Sequence, residues 1–175
     1  ISGNLRHCGP ESDAMVDHEL QQLAEAIGRA LVEKKHVLAF AESCTGGLAS
    51  AIVTNIPGSS AWFDSGAVVY SNQAKQDLLQ VSNNTLNQYG AVSEQVAAEM
   101  AEGLLKQGRA SIVASVTGIA GPDGGTAEKP VGTVCFAWAS KYQPTKTCQL
   151  LLSGNRQEIR QKSVSTMLTG IKDFL

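Results

Sequence analysis

The chain has 175 residues, 43% of them hydrophobic and 17% charged, with a formal charge of −2. That is enough for one sizeable core and too little for two comfortable domains, and the balance suits a globular chain rather than a disordered one. Neither a general nucleic-acid surface nor a set of base-stacking platforms is expected from a slightly acidic chain with 5% aromatics.

Residues 1–14 are polar, glycine-containing and without period, and Met15 looks like a natural start. They are expected to be a leader or flexible tail, leaving 15–175 as the folded unit. No apolar h-region and no apolar run of about 18 residues is visible, so neither a signal peptide nor a membrane span is expected. The four cysteines, Cys8, Cys44, Cys135 and Cys148, show no C-x-x-C spacing. A reduced, cytoplasmic setting without a zinc site fits them.

From Val16 to Lys34, apolar residues at Leu20, Leu23, Ala24, Ile27 and Leu31 recur at helical spacing. A strand is predicted over 36–41. It leads into the polar turn Glu42-Ser43-Cys44-Thr45-Gly46-Gly47 and a helix over about 45–54. A strand, a glycine-bearing turn and a helix can present a reactive hydroxyl, or bind an anion on the first-turn N–H groups. Pro57-Gly58-Ser59-Ser60 marks a loop, and 62–70 reads as the next strand. Ser71 is placed to cap a helix over 72–80, a short helical piece lies within 82–90, and Ser93 caps an amphipathic helix bearing Val96, Ala97, Met100, Ala101, Leu104 and Leu105. A strand over 110–116 runs into a second glycine-rich loop, Thr117–Gly125. Strands over about 131–140 and 146–152 are close enough for a hairpin, and Gly154-Asn155 opens a last helix to about 174. Helices interleaved with strands, plus one hairpin, predict a single-domain α/β fold: a three-layer α/β/α sandwich with a mixed sheet.

Ser43 needs a base. Of the three histidines, His7 lies in the leader, His18 on the first helix, and His36 at the far end of the first strand, about 20 Å away along an extended chain. A Ser-His-Asp triad is therefore not expected. Lys75, in the first turns of the helix after Ser71, can replace histidine if its charge is disfavoured; the helix dipole acts in that direction. It also reads as an ordinary surface lysine. Tyr70 reads either as an edge aromatic or as a phenol that orients Ser43 or relays its proton. Cys44 is the rival nucleophile, or packs behind the turn. Glu42 reads as a capping carboxylate or as a group orienting a lysine or ligand hydroxyl. The loop 117–125 suits close approach of a phosphate or flat ring, or is simply a mobile loop; it lacks the Walker pattern. Arg156 and Arg160, opening the last helix, suit a phosphate or the surface.

Ala-Glu-Ser-Cys-Thr-Gly-Gly, Pro-Gly-Ser-Ser, Val-Tyr-Ser-Asn-x-x-Lys, Gly-Ala-Val-Ser-Glu, Thr-Gly-Ile-Ala-Gly-Pro-x-Gly-Gly and Lys-Pro-Val-Gly-Thr-Val stand here in fixed order. In this the chain closely resembles the CinA C-terminal domain family over about residues 18–173. That family includes stand-alone nicotinamide-nucleotide amidohydrolases (NMN deamidases). The resemblance implies deamidation of nicotinamide mononucleotide to nicotinate mononucleotide and ammonia, in pyridine-nucleotide salvage, by a serine mechanism without metal or cofactor. It implies Ser43 as nucleophile, Lys75 as base and Tyr70 as helper. It places the substrate against Glu42, Thr45, Gly46, Thr117, Gly118, Ala120, Gly121, Gly124 and Arg156. A homodimer is implied, with no nucleic-acid or membrane partner. The alternative is a non-catalytic nucleotide-binding or regulatory module of the same fold. Larger relatives carry a further N-terminal domain related to molybdopterin-binding proteins; it is not seen here, and its activity is not expected.

Overall fold

A computed structural model describes residues 10–175, with side chains from Asp17 onward. The leader expected over 1–14 falls mostly outside the described residues. Helix α1 runs Pro10–Lys34, six residues longer at its start than the apolar period indicated. The chain continues through strand β1 (Leu38–Glu42), helix α2 (Leu48–Thr54) and strand β2 (Phe63–Val68). Helices α3 (Asn72–Leu79), α4 (Asn83–Tyr89) and α5 (Glu94–Gln107) then lead to strand β3 (Ile112–Gly118). Strands β4 (Thr133–Ser140) and β5 (Lys146–Leu151) and helix α6 (Arg156–Ile171) complete it, with a 3-10 turn at Lys172–Phe174.

The strands form one sheet in the order β2-β1-β3-β4-β5. β2, β1 and β3 are parallel, whereas β4 and β5 add antiparallel, so the sheet is mixed and the last two strands form the expected hairpin. Alternate residues feed two cores, as the two-residue period of a strand dictates. Leu38, Phe40, Ile112, Ala114, Val116, Phe136 and Trp138 pack under α1, α2 and α6. Ala39, Ala41, Val113, Cys135, Ala137 and Ala139 face α3, α4 and α5, where their small volume lets Val96, Ala97, Met100 and Ala101 of α5 sit close to the sheet. The result is the three-layer sandwich.

The helix starts are specified locally. Ser71 accepts from the Ala74 N–H at 3.0 Å, and Ser93 from the Val96 N–H at 3.2 Å. Asn155 and Glu158 exchange hydrogen bonds across the first turn of α6 as a capping box.

This topology positions a site. The chain leaves β1 for β2 across one face of the sheet through α2, and returns from β2 to β3 across the other face through α3–α5. β1 is thus the switch point, and the carboxyl ends of β1, β2 and β3 open on one crevice.

Candidate active site

The crevice is a cavity of about 280 Å³, at the small end for a ligand site. Ser43 and Cys44 line it from the turn after β1, Tyr70 and Lys75 from the β2–α3 connection, and Thr117 to Gly121 from the end of β3. Arg156 closes it from α6. The structure thereby gathers Ser43, Lys75, Tyr70, Thr117, Gly118, Ala120, Gly121, Gly124 and Arg156, all expected at the site, and adds Asn72, Val92 and Asp123.

Ser43 and Lys75 meet directly. Lys75 Nζ lies 3.1 Å from Ser43 Oγ, 3.0 Å from the Val69 carbonyl oxygen and 3.1 Å from the Tyr70 carbonyl oxygen. Its side chain is 1% exposed and faces no carboxylate among these partners. Burial holds its pKa below the ordinary lysine value of 10.5. Lys75 is not a surface lysine: α3 lays its inner face on the core and directs the amine into the crevice. A neutral amine has two N–H bonds and one lone pair. Two carbonyls on the N–H bonds leave the lone pair for the Ser43 hydroxyl. The Ser43 N–H donates to the Val116 carbonyl at 3.1 Å, which ties the turn to β3.

Tyr70 is at the mouth and 60% exposed. Its backbone carbonyl, not its phenol, reaches Lys75. The phenol oxygen accepts from Arg156 Nη2 at 3.1 Å, and Arg156 Nη1 donates to the Gly121 carbonyl at 2.7 Å. The expected phenol relay between Ser43 and Lys75 is therefore replaced by a direct contact of the two. Arg156 joins Tyr70 to the glycine loop, across the cavity mouth.

Three expected substrate contacts are corrected. Glu42 is fully buried and accepts five hydrogen bonds. Oε2 takes the Thr45 hydroxyl at 2.6 Å and the N–H groups of Gly47 and Ala49 at 3.1 Å; Oε1 takes the Ser50 N–H at 2.9 Å and its hydroxyl at 2.7 Å. The start of α2 is thus filled by the chain's own carboxylate and is no site for an external anion. Thr45 is fully buried and spends its hydroxyl on Glu42. Gly46 is absent from the cavity wall, and its N–H donates to the Ser43 carbonyl at 3.0 Å. Its φ of +58 explains the glycine: the turn needs a left-handed residue there. Thr117 does line the cavity, but its hydroxyl donates to the Ala91 carbonyl at 2.9 Å.

Cys44 is buried, and desolvation pushes its thiol up to about 11, so the reactive thiolate is scarce at neutral pH. His36 sits beside Ser111, at 3.1 Å, at the opposite end of β1. Arg160, weighed as a phosphate ligand, instead spans the outside of the turn: Nε donates to the Cys44 carbonyl at 3.2 Å and Nη2 to the Thr45 carbonyl at 2.8 Å. No sequence signal distinguishes this arginine from Arg156 one turn earlier.

Residues 20–175 match the family model described as the CinA C-terminal domain. A nicotinamide-nucleotide amidohydrolase PncC from Enterobacter agglomerans is 51% identical over 92% of this chain and 99% of its own length. The protein of that name from Escherichia coli K12 is 49% identical over 88% of this chain and 93% of its own. A crystal structure of competence/damage inducible protein CihA from Agrobacterium tumefaciens, 42% identical, superimposes with a TM-score of 0.86 over 88% of this chain and 94% of that one. With this likeness along nearly its whole described length, and the motif turn standing at the switch point, the chain belongs to the CinA C-terminal domain family.

Proposed function

We propose that the protein hydrolyses the carboxamide of nicotinamide mononucleotide, giving nicotinate mononucleotide and ammonia, with Ser43 as nucleophile and Lys75 as base. The observation that carries this reading is the 3.1 Å approach of a buried, charge-disfavoured amine to the Ser43 hydroxyl. The names of its near-full-length relatives support the substrate.

Neutral Lys75 takes the Ser43 proton as Oγ attacks the amide carbon. The oxyanion is received by the Cys44 N–H, which has no acceptor among the described residues and belongs to a residue lining the cavity. Protonated Lys75 then gives its proton to the departing nitrogen, and ammonia leaves the acyl-enzyme. Lys75, neutral again, deprotonates the water that attacks the ester; the carboxylate leaves and Ser43 recovers its proton. The cationic pyridinium favours neutral Lys75 and makes the carboxamide more electrophilic. Arg156 supplies a cation for the phosphate at the mouth, and Tyr70 a flat, exposed face for the ring.

The test is ammonia and nicotinate mononucleotide release by wild type and Ser43→Ala. A loss of about three or more orders of magnitude in kcat is expected. Activity within about tenfold of wild type removes Ser43 from the role. Loss on Cys44→Ala with Ser43→Ala active transfers it to the thiol, and binding without turnover by the wild type makes the protein a nucleotide-binding module.

A further inference from the structure

We infer that Arg160 is a positioning residue for the oxyanion donor, acting through two peptide groups of the Ser43–Gly46 turn without touching substrate. This rests on the serine mechanism proposed above. In a trans peptide the C=O and N–H point in opposite directions, so fixing one end of the unit aims the other. Arg160 Nη2 holds the Thr45 carbonyl at 2.8 Å. The N–H of that same peptide, on Gly46, is thereby turned inward and donates to the Ser43 carbonyl at 3.0 Å. The Ser43 carbonyl belongs in turn to the peptide whose N–H, on Cys44, is the donor left for the oxyanion. A cation at one end of two linked peptide dipoles polarises both in the direction that makes the last N–H a better donor. Arg160 Nε, on the Cys44 carbonyl at 3.2 Å, fixes the peptide between them.

The surroundings hold the fork in place. Arg160 lies between Ile159, which is buried, and the buried pair Ser163 and Val164 on α6, so its stem starts from a packed helix face. A Cβ on Gly46 would stand 3.7 Å from Arg160 Nη2, so the open side of this glycine is where the guanidinium passes. A lysine at 160 keeps the charge but lacks the rigid planar fork that holds the two carbonyls in fixed directions.

Two readouts test this on the full-length protein. One is kcat and KM for ammonia release from nicotinamide mononucleotide; the other is the rate at which a fluorophosphonate probe labels Ser43, a reaction that also needs an oxygen seated in the oxyanion site. For Arg160→Met the expected result is a fall of about tenfold to a hundredfold in kcat, with KM within about twofold, and a parallel fall in labelling rate. Arg160→Lys is expected to fall between, and added methylguanidinium to restore part of the rate of Arg160→Ala. If Arg160→Met and Arg160→Lys, both folded by their melting curves, label Ser43 at the wild-type rate, the inference is overturned. A rise in KM with kcat unchanged overturns it too, since that marks a substrate-binding arginine. Wild-type protein that labels at Ser43 but does not deamidate the nucleotide refutes the substrate alone, and the labelling rates of the variants still decide the role of Arg160. If Met at 160 leaves the chain unfolded, the Lys variant and the methylguanidinium response carry the decision.

Discussion

In the proposed mechanism Lys75 is the residue on which the chemistry turns, because only its neutral form can accept the Ser43 proton. Burial lowers its pKa from 10.5, so the neutral fraction grows at a lower pH than for an exposed lysine. The kcat/KM for deamidation is therefore expected to rise with pH along a limb whose midpoint falls below 10.5 and belongs to the free enzyme. Lys75→Arg keeps a cation but cannot lose its proton at these values, so it is expected to be slower by several orders of magnitude at every pH. Wild-type rates from Lys75→Arg, or a limb still rising beyond pH 10.5, would remove the base from this position. At the same scale the rival nucleophile is disfavoured: burial drives Cys44 up to about 11, opposite to what a catalytic thiol requires.

At the scale of elements, the proposed catalysis depends on α3 seating Lys75 against the turn after β1. The seat has a narrow tolerance at Gly103 of α5, where a Cβ would come within 2.0 Å of the carbonyl oxygen of Leu79, the last residue of α3. Alanine gains about 1 kcal/mol over glycine in a helix interior, but that gain cannot absorb such an overlap, so α3 must shift. Gly103→Ala is expected to melt several degrees lower and to lose at least about tenfold in kcat, since small misplacements of a reacting pair are costly. Unchanged kcat would mean that α3 is positioned by something other than α5. The elements themselves were legible because their signals are local: Ser71 and Ser93 cap as read, the last helix opens at Asn155 as read, and the 3.6-residue period of α5 places Val96, Ala97, Met100 and Ala101 in the core. The absence of a nearby histidine pointed to Lys75 as a substitute base, but the residues alone read equally as a surface lysine, and the pairing with Ser43 was what the family resemblance implied. The fate of Glu42 and Thr45 was not, since a carboxylate before a glycine turn reads equally as a ligand group or as a cap until its five donors are in place. The direction of the Tyr70 phenol and of Arg160 was hidden for a related reason. Both depend on partners about 86 and 115 residues away along the chain.

For the whole molecule, the cost of burying Lys75 is written into its stability. The unfolded chain protonates Lys75 with the ordinary pKa of about 10.4, whereas the folded chain does so only at a lower pH. Between the two values the unfolded state binds the extra proton, so folding stability rises with pH; below the folded value the full cost of burying the charge is present, and above about 10.4 it has gone. Lys75→Met fills the same space without a charge and removes this dependence. It also leaves the Val69 and Tyr70 carbonyls without their donor, a loss that does not vary with pH. The sign of the change at any one pH therefore mixes two effects, but its slope isolates one. The melting temperature of Lys75→Met minus that of wild type is expected to be most favourable to the variant near neutral pH and to decline steadily towards pH 10. Chemical denaturation at the same pH values should give the same trend in free energy. A difference that stays flat from pH 7 to 10 would mean that folding leaves the Lys75 titration unchanged. The 3.1 Å contact with Ser43 would then be an ordinary hydrogen bond from a charged amine rather than the seat of a base. The variant is also expected to be inactive, so a fold that tolerates or gains from losing Lys75 while the reaction stops would show that the lysine is kept for chemistry rather than for structure.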